Sequence, residues 1–386
     1  MALTTSTSGC LSGLPPLGTK PSYARVDVPD ATPPNYRRWL PAQGTSHDDW
    51  VITYVAPGPF EGPVPEEFVA RRGALRTELD YFGIGYENYD NLVVTNLATV
   101  IEAEFSTAAV KSTLAETGYE PDGTYREYDL YARSDVPRRA AVSDNAIVWT
   151  SRQVHDEPDL EATIDAGHGH VERYHEANDA FAAITEAVGA SRMLYVGGDH
   201  PGLRPALAEI GADAFRTDDD AAYHLLTERY PPDIEPSVDR IQLALEDEPY
   251  ELTTEVETAD VGVDGRFATV EARVPFAPNR GRDALNDPPQ VTWGASFDAE
   301  AQSVTLHHEA GEEIDADWLW YDVDFDDDYN EIEKEPLWPG RDSVGPGDKA
   351  EVDLSDSPDA TGISVLYGTD GVGSRNLFTY LLGSDE

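Results

Sequence analysis

The sequence predicts an α+β body followed by a C-terminal antiparallel β-sandwich, and three observations carry that expectation. Stretches rich in β-branched and aromatic residues interleave with helical apolar spacing from Trp50 to about Ala277. The run "APNRGRDALNDPP" (277–289) then concentrates Pro, Gly, Asn and Asp, as a domain boundary does. Beyond it the chain offers short strand-like runs parted by turn residues, the pattern of a sandwich. The resulting division is a tether over 1–35, an α+β domain over 36–278 and a β-sandwich domain over 286–386.

Taken in order, residues 1–35 carry Pro15, Pro16, Pro21, Pro29, Pro33 and Pro34 without apolar periodicity, the composition of a linker. The run "WVITYVAP" (50–57) has strand content, and "PEEFVARRGALRTELDYF" (65–82) spaces its apolar residues as a helix does. "NLATVIEAEF" (96–105) alternates as a strand; Ser106 then caps the helix "TAAVKSTLAET", which Gly118 stops. "TYREYDLYA" (124–132) follows, and "RAAVSDNAIVWT" (139–150) reads as a hairpin turning at Ser143-Asp144-Asn145. Residues 157–188 read as one helix, "RMLYVGG" (192–198) as a strand, and "AAYHLLTERY" (221–230) and "SVDRIQLALEDE" (237–248) as helices. "YELTTEVET" (250–258) and "RFATVEARVPFA" (266–277) close the body, with Val263-Asp264-Gly265 at the turn. This order suggests tandem ferredoxin-like split units, a divergent duplication without a residue-level repeat. The runs "VTWGASFD", "SVTLHHEA", "WLWYDVD", "KAEVDL", "GISVLYG" and "NLFTYLLG" supply the sandwich strands.

The formal charge of −47 comes from 74 acids against 27 bases. Surface scaling at this mass gives about 15,000 Å², so acids stand about one per 200 Å², roughly 14 Å apart. Their repulsion persists at a Debye length of about 8 Å and fades at about 3 Å in molar salt. A content of 40% hydrophobic and 10% aromatic residues is enough for a core, which sets the chain apart from disordered acidic sequences. Only Lys20, Lys111, Lys334 and Lys349 are lysines. Acid excess with lysine scarcity resembles the proteome style of salt-in halophilic archaea. Nucleic acid is excluded as a partner, because releasing phosphate counterions takes clustered cations, and Arg37-Arg38, Arg71-Arg72 and Arg138-Arg139 are scattered. No run of about 18 apolar residues occurs, so the chain as given carries no membrane-spanning helix.

Cys10 is the sole cysteine, which leaves no partner for an intramolecular disulfide and no companion for a thiolate metal site. "Ser8-Gly9-Cys10-Leu11-Ser12" resembles a lipobox, and the flexible "GLPPLGTKPS" run behind it suits a tether. Thr7 stands where the family has an aliphatic residue, and a signal peptide's charged and apolar regions are absent. A truncated or misassigned start accounts for both departures. The resemblance implies lipid on Cys10 and a place on the outer face of the cytoplasmic membrane, with contact to the bilayer through that anchor alone. A second resemblance covers about the last quarter of the chain. "SVTLHHEAGEEIDADWLWYDV" (Ser303 to Val323) followed by "VGPGDKAEV" (Val344 to Val352) is similar to the β-sandwich domain of the haloarchaeal type IV pilin family. It implies an extracellular module for display or adhesion. Its filament role does not carry over, since the apolar helix that packs a pilus is missing here.

Two constellations could hold metal. On a continuous helix His168, Glu172, His175 and Asp179 fall at i, i+4, i+7 and i+11, a stripe of two nitrogens and two carboxylates that suits zinc. Val171, Tyr174, Phe181, Ile184 and Val188 would form the apolar face roughly 150° around that helix, so the stripe would face water. In "DVDFDDDYNEIEKE", Asp322, Asp324, Asp326 and Asp328 alternate as in a calcium loop, but Asp327 or Tyr329 stands where that loop needs Gly. No G-x-S-x-G elbow marks a serine hydrolase. The function expected is a non-enzymatic surface lipoprotein of a halophilic archaeon, without a resident cofactor, in a binding, adhesion or envelope-structural role. Envelope or filament proteins are its expected partners. The alternatives are a metal-dependent enzyme working through the His168, Glu172, His175 and Asp179 stripe, and a subunit of a pilus or secretion apparatus.

Overall fold

A computed structural model describes residues 22–42, 50–58, 65–198, 208–218, 220–247, 256, 258–274, 284–325, 334–369 and 373–382. Its class is α+β with antiparallel sheets at the C-terminal end, as the patterning predicts. The first half of the body holds β1 (Ser22–Tyr23), β2 (Ile52–Val55), α1 (Glu66–Glu78), β3 (Asn91–Val94), β4 (Thr99–Glu102), α2 (Thr107–Glu116), β5 (Tyr119–Tyr125), β6 (Tyr128–Arg133), β7 (Arg138–Val142) and β8 (Ala146–Ser151). Three short helices follow: α3 (Leu160–Gly167), α4 (Tyr174–Ala177) and α5 (Asp179–Val188). The second half holds β9 (Met193–Gly197), β10 (Ile210–Thr217), β11 (Ala222–Arg229), α6 (Val238–Asp247), β12 (Thr258–Asp264) and β13 (Phe267–Val274).

Among the described residues these strands form one 13-stranded sheet, β1-β12-β13-β11-β10-β9-β2-β3-β4-β8-β7-β6-β5. β1 lies parallel to β12, whereas β2 pairs antiparallel with both of its neighbours, β3 and β9. A ferredoxin-like split unit keeps the two strands that flank a helix parallel and separated by an inserted strand, whereas here β2 and β3, which flank α1, pair directly and antiparallel, so the tandem-ferredoxin detail of the expected fold is replaced by antiparallel meanders. The duplication itself has a topological counterpart. Outward from the central pair, the first half runs β2-β3-β4-β8-β7 and the second β9-β10-β11-β13-β12, the same sequence of first, second, third, last and next-to-last strand. A helix follows the third strand in each half, α2 after β4 and α6 after β11.

Both faces of the sheet are covered. On one, the 3-10 turn Asn35–Trp39 with α3 and α5 buries Trp39, Leu40, Ile164, Phe181 and Ile184 against Ile52, Val100 and Val148. On the other, Phe68 of α1 and Val110 and Leu114 of α2 meet Leu92, Ile101, Ile147 and Trp149. The helix starts follow local chemistry. Ser106, Asp159 and Asn178 each accept a hydrogen bond from a first-turn amide, those of Ala109, Ala162 and Phe181.

Four local readings change. The stretch 157–188 is three helices, because the chain turns at Gly167 and at Gly169, whose φ of 70° lies in the left-handed region. "AAYHLLTERY" is strand β11, not a helix: it lies between β10 and β13 and is buried on both faces, so its apolar run has no alternation to display. β3, β10 and most of β12 occupy runs not assigned to strands from the sequence, while of the strand expected over 250–258 only Val256 and Thr258 lie among the described residues. The body also begins before residue 36, since Ser22 and Tyr23 pair with β12, Val26 is buried and Thr32 bridges to Ala190.

The C-terminal part is a sandwich of two sheets, β14-β15-β20 and β18-β17-β21-β22, with a small β16-β19 ladder. Its strands are β14 (Val291–Asp298), β15 (Ser303–Gly311), β16 (Ile314–Asp315), β17 (Leu319–Asp324), β18 (Glu335–Pro336), β19 (Ser343–Val344), β20 (Lys349–Asp353), β21 (Gly362–Thr369) and β22 (Gly373–Leu381). Alternate residues such as Ala350 and Val352 point inward to Trp293, Val304, Leu306 and Trp338.

A buried ionic seam joins sandwich to body. Asp80 of the α1–β3 connection, 1% exposed, accepts from Arg138 and from the Tyr119 hydroxyl at 2.6 Å. Arg138 lies over Trp149 of the sheet and Phe378 of β22. Arg133 donates to Asp135 at 2.6 and 2.9 Å and meets Glu309 of β15 at 3.0 Å, while Arg76 of α1 reaches Asp287 at 2.6 Å and Glu312 at 2.7 Å. Gln290 donates to the Tyr89 hydroxyl and the Asp80 carbonyl. Removing one member of a buried pair strands the other charge, so Asp80→Ala is expected to lower unfolding stability by about 3–5 kcal/mol. A denaturant titration in molar KCl checks this, and a loss below about 1 kcal/mol, the range of an exposed pair, would contradict it.

Candidate functional site

An open recess of about 540 Å³ lies beside the Asn35–Trp39 turn, lined among others by Arg37, Arg38, Asn91, Glu102, Arg173 and His175. Pro33 and Pro34 lead into the turn, and the Trp39 ring it delivers is buried. Trp39 Nε1 donates to Glu102 Oε1 at 3.0 Å, Arg38 pairs with the same oxygen, and Asn91 Nδ2 donates to Oε2 at 3.2 Å. Glu102 thereby has both oxygens occupied and holds Arg38 in place. Asn91 in turn accepts from Tyr54, whose hydroxyl pKa is pushed up to about 12 by burial and by the Glu102 charge.

The opposite wall comes from the α3–α5 segment. Arg173 donates through Nε to Ala166 O at 3.0 Å and through Nη2 to Gly167 O at 3.5 Å, placing a cation on the carbonyl end of α3. Arg37 reaches across to Thr185 Oγ1 at 3.3 Å and Glu186 at 3.0 Å. Burial, together with Arg37 and Arg173, pulls the His175 pKa below its ordinary value. Its buried Nδ1 has no hydrogen-bond partner among the described residues.

The broken helix disperses the predicted stripe. His168 turns to the Tyr128 hydroxyl at 3.3 Å and Glu127 at 3.1 Å, with its ring edge-on to Trp39. Glu172 is exposed, and its carbonyl accepts from the Ala42 amide. His175 lines the recess, and Asp179, at the start of α5, lines a second recess of about 470 Å³ with Trp50, Glu209 and Arg229. The four therefore do not share a helix face, which corrects the spacing that defined them as a set. In the acidic run, Asp322 and Asp324 lie two apart on β17, where Asp324 Oδ2 accepts from Ser364 at 2.9 Å. Asp326 and Asp328 lie outside the described residues, as does Cys10. Among the described residues no group of three or more His, Cys, Asp or Glu is placed to hold a metal ion.

Other histidines are built into the packing. His155, 1% exposed, accepts from the Ser151 amide on Nδ1 at 3.0 Å, and its Nε2 lies 3.0 Å from Thr99 Oγ1. His224 lies 2.7 Å from Asp213, which also takes Arg71, and stacks on Phe215 at 4.4 Å. His308 Nε2 bonds the Glu312 carbonyl at 2.8 Å. Sequence reasoning missed the recess. Arg37-Arg38 after Pro33-Pro34 is a local signal, but nothing near Arg173 or His175 in sequence announces that they return to that turn.

No protein-family profile and no curated protein matches this chain. Among solved structures, two crystal forms of the treponemal lipoprotein TP0453 show a distant likeness. Form III aligns over 64% of this chain and 95% of its own at 8% identity and a TM-score of 0.36. Form I aligns over 64% and 94% at 8% identity and a TM-score of 0.40. No residue role is transferred across so distant a likeness.

Two outcomes follow from the geometry. A Cβ on Gly167 would collide with the Trp39 ring, so Gly167→Ala is expected to cost about 1–3 kcal/mol and to shift tryptophan emission as the ring moves. Unaltered emission and stability would show that the turn and α3 are not packed as described. Burial lowers the His155 pKa to about 4 from 6.5. Between pH 6.5 and 4 the unfolded chain takes up a proton at His155 that the folded chain refuses. Stability from this residue is thus present above pH 6.5 and lost as pH falls, by about 3 kcal/mol in all. An imidazole NMR titration midpoint near 6.5 for His155 would contradict it.

Proposed function

We propose that this chain is a non-catalytic, lipid-tethered protein of the outer face of a haloarchaeal cytoplasmic membrane, serving in binding, adhesion or envelope structure. The observation that carries the non-catalytic part is how the ionisable side chains are employed. Asp80, Arg133, Arg138 and Glu309 hold the sandwich to the body, and His155, His224 and His308 are enclosed by packing. His175 does line the recess, but its buried Nδ1 has no partner among the described residues to orient the ring as a catalytic base requires. The lipobox-like "Ser8-Gly9-Cys10" supports the tether, and Cys10 stands twelve residues ahead of Ser22, where the sheet begins. Fully extended chain of that length reaches about 40 Å, so lipid on Cys10 would keep the β1–β12 side of the sheet near the bilayer. The acid excess supports a brine habitat, where molar salt screens the repulsion among 74 acids. The pilin-like residues Ser303–Val323 and Val344–Val352 fall on β15, β16, β17, β19 and β20 of the sandwich, which suits display.

Cell fractionation tests this function. The native protein is expected in the membrane fraction, released by detergent, with a lipid-sized mass increment on Cys10, and Cys10→Ser is expected to abolish both the increment and the membrane association. Native protein found in the cytoplasm with a free Cys10 thiol would overturn it.

A further inference from the structure

In a chain of net charge −47, three guanidiniums line one recess. Arg37, Arg38 and Arg173 face it together with the amides of Asn35 and Asn91, and Glu102 is the one carboxylate among its described lining residues. That carboxylate is spoken for: Arg38 and Trp39 take one oxygen and Asn91 the other. Arg37 is matched by Glu186 at 3.0 Å. Arg173 has no carboxylate within ion-pair range among the described residues. Its contacts are the Ala166 and Gly167 carbonyls through Nε and Nη2, which leaves Nη1 for another acceptor.

We propose that this recess is a binding site for a small oxyanion, a carboxylate or phosphoryl group, gripped by Arg38 and Arg173. A guanidinium offers paired N–H donors that match two oxygens of such a group, which a lone ammonium cannot do. Both arginines are already oriented, Arg38 by Glu102 and Arg173 by the end of α3, so little side-chain freedom is lost on binding. Long-range repulsion from the acidic body does not forbid the anion. At molar salt the Debye length is about 3 Å, so contacts inside the recess decide the outcome. Chloride, abundant in such a medium, competes as a single acceptor atom, whereas an oxyanion presents two oxygens that match the paired N–H donors of the fork. The volume of about 540 Å³ lies within the range of about 300–1,000 Å³ typical of small-molecule sites, so a metabolite bearing the oxyanion fits as well as the bare ion.

The test is calorimetric titration of the full chain in molar KCl, with inorganic phosphate in one arm and succinate in the other. Saturable one-to-one binding of at least one probe is expected, and the tighter of the two identifies phosphoryl or carboxylate as the recognised group. Arg38→Gln and Arg173→Gln should each weaken it about tenfold or more, the effect of losing a charge-assisted hydrogen bond. Arg25→Gln, at an exposed arginine that pairs with Asp27 away from the recess, should leave it unchanged. If either glutamine variant fails to fold, Arg38→Lys keeps the charge beside Glu102 and removes the fork, and should still weaken binding at an unaltered melting temperature. Saturation by neither probe below about 10 mM, or equal binding by wild type and the arginine variants, overturns the proposal. The result is independent of the tether: a protein found in the cytoplasm could still bind the anion, and a membrane-bound one could still fail to.

Discussion

Charge withdrawn from water has to be matched where it is buried, and that constraint makes one object of the body and the sandwich. Asp80 sits between Arg138 and Tyr119, and Arg133 between Asp135 and Glu309, all at the junction of the two parts. Breaking such a pair costs more than forming it gains, because the survivor stays desolvated and alone. The seam therefore specifies orientation more than it adds stability. In concentrated salt the distinction sharpens, since exposed pairs are screened while buried ones are screened much less. Arg138 also lies over aromatic rings of both parts, Trp149 and Phe378, so apolar packing and charge matching locate the same contact.

The body places its features by repeating one strand order on either side of the β2–β9 pair. Antiparallel pairing at the centre needs no crossover, and each half is completed by a helix after its third strand. The α3–α5 segment lies between the halves in sequence and lays its apolar residues on the face that the Asn35–Trp39 turn shares. That shared face brings Arg173 and His175 back against Arg37 and Arg38. The recess is thus a product of how the link between the halves packs, and its walls come from segments about 135 residues apart.

Much of the architecture was legible residue by residue. Alternation along "RFATVEARV" and "KAEVD" marks strands with one wet face, and both are strands. Ser106 announces α2 because an amide at a helix start needs an acceptor, and Ser106 supplies it. "AAYHLLTERY" misled because a strand covered on both faces loses its period of two, leaving an apolar run that a helix also tolerates. The stretch 157–188 misled in the opposite sense. Its apolar spacing persists across Gly167 and Gly169, but the α3 terminus packs against Trp39 so closely that the chain turns away. With that turn the histidine stripe ceases to exist as a set.

By itself, then, the sequence determined the acidic character, the class of the fold and individual elements such as α2 and β13, because each depends on composition or on neighbours within a few positions. Tertiary structure alone decided the single continuous sheet, the buried pairing of Asp80 with Arg138 and the gathering of three arginines around one recess. Those depend on which distant segments share a face, and short-range periodicity carries no record of such meetings.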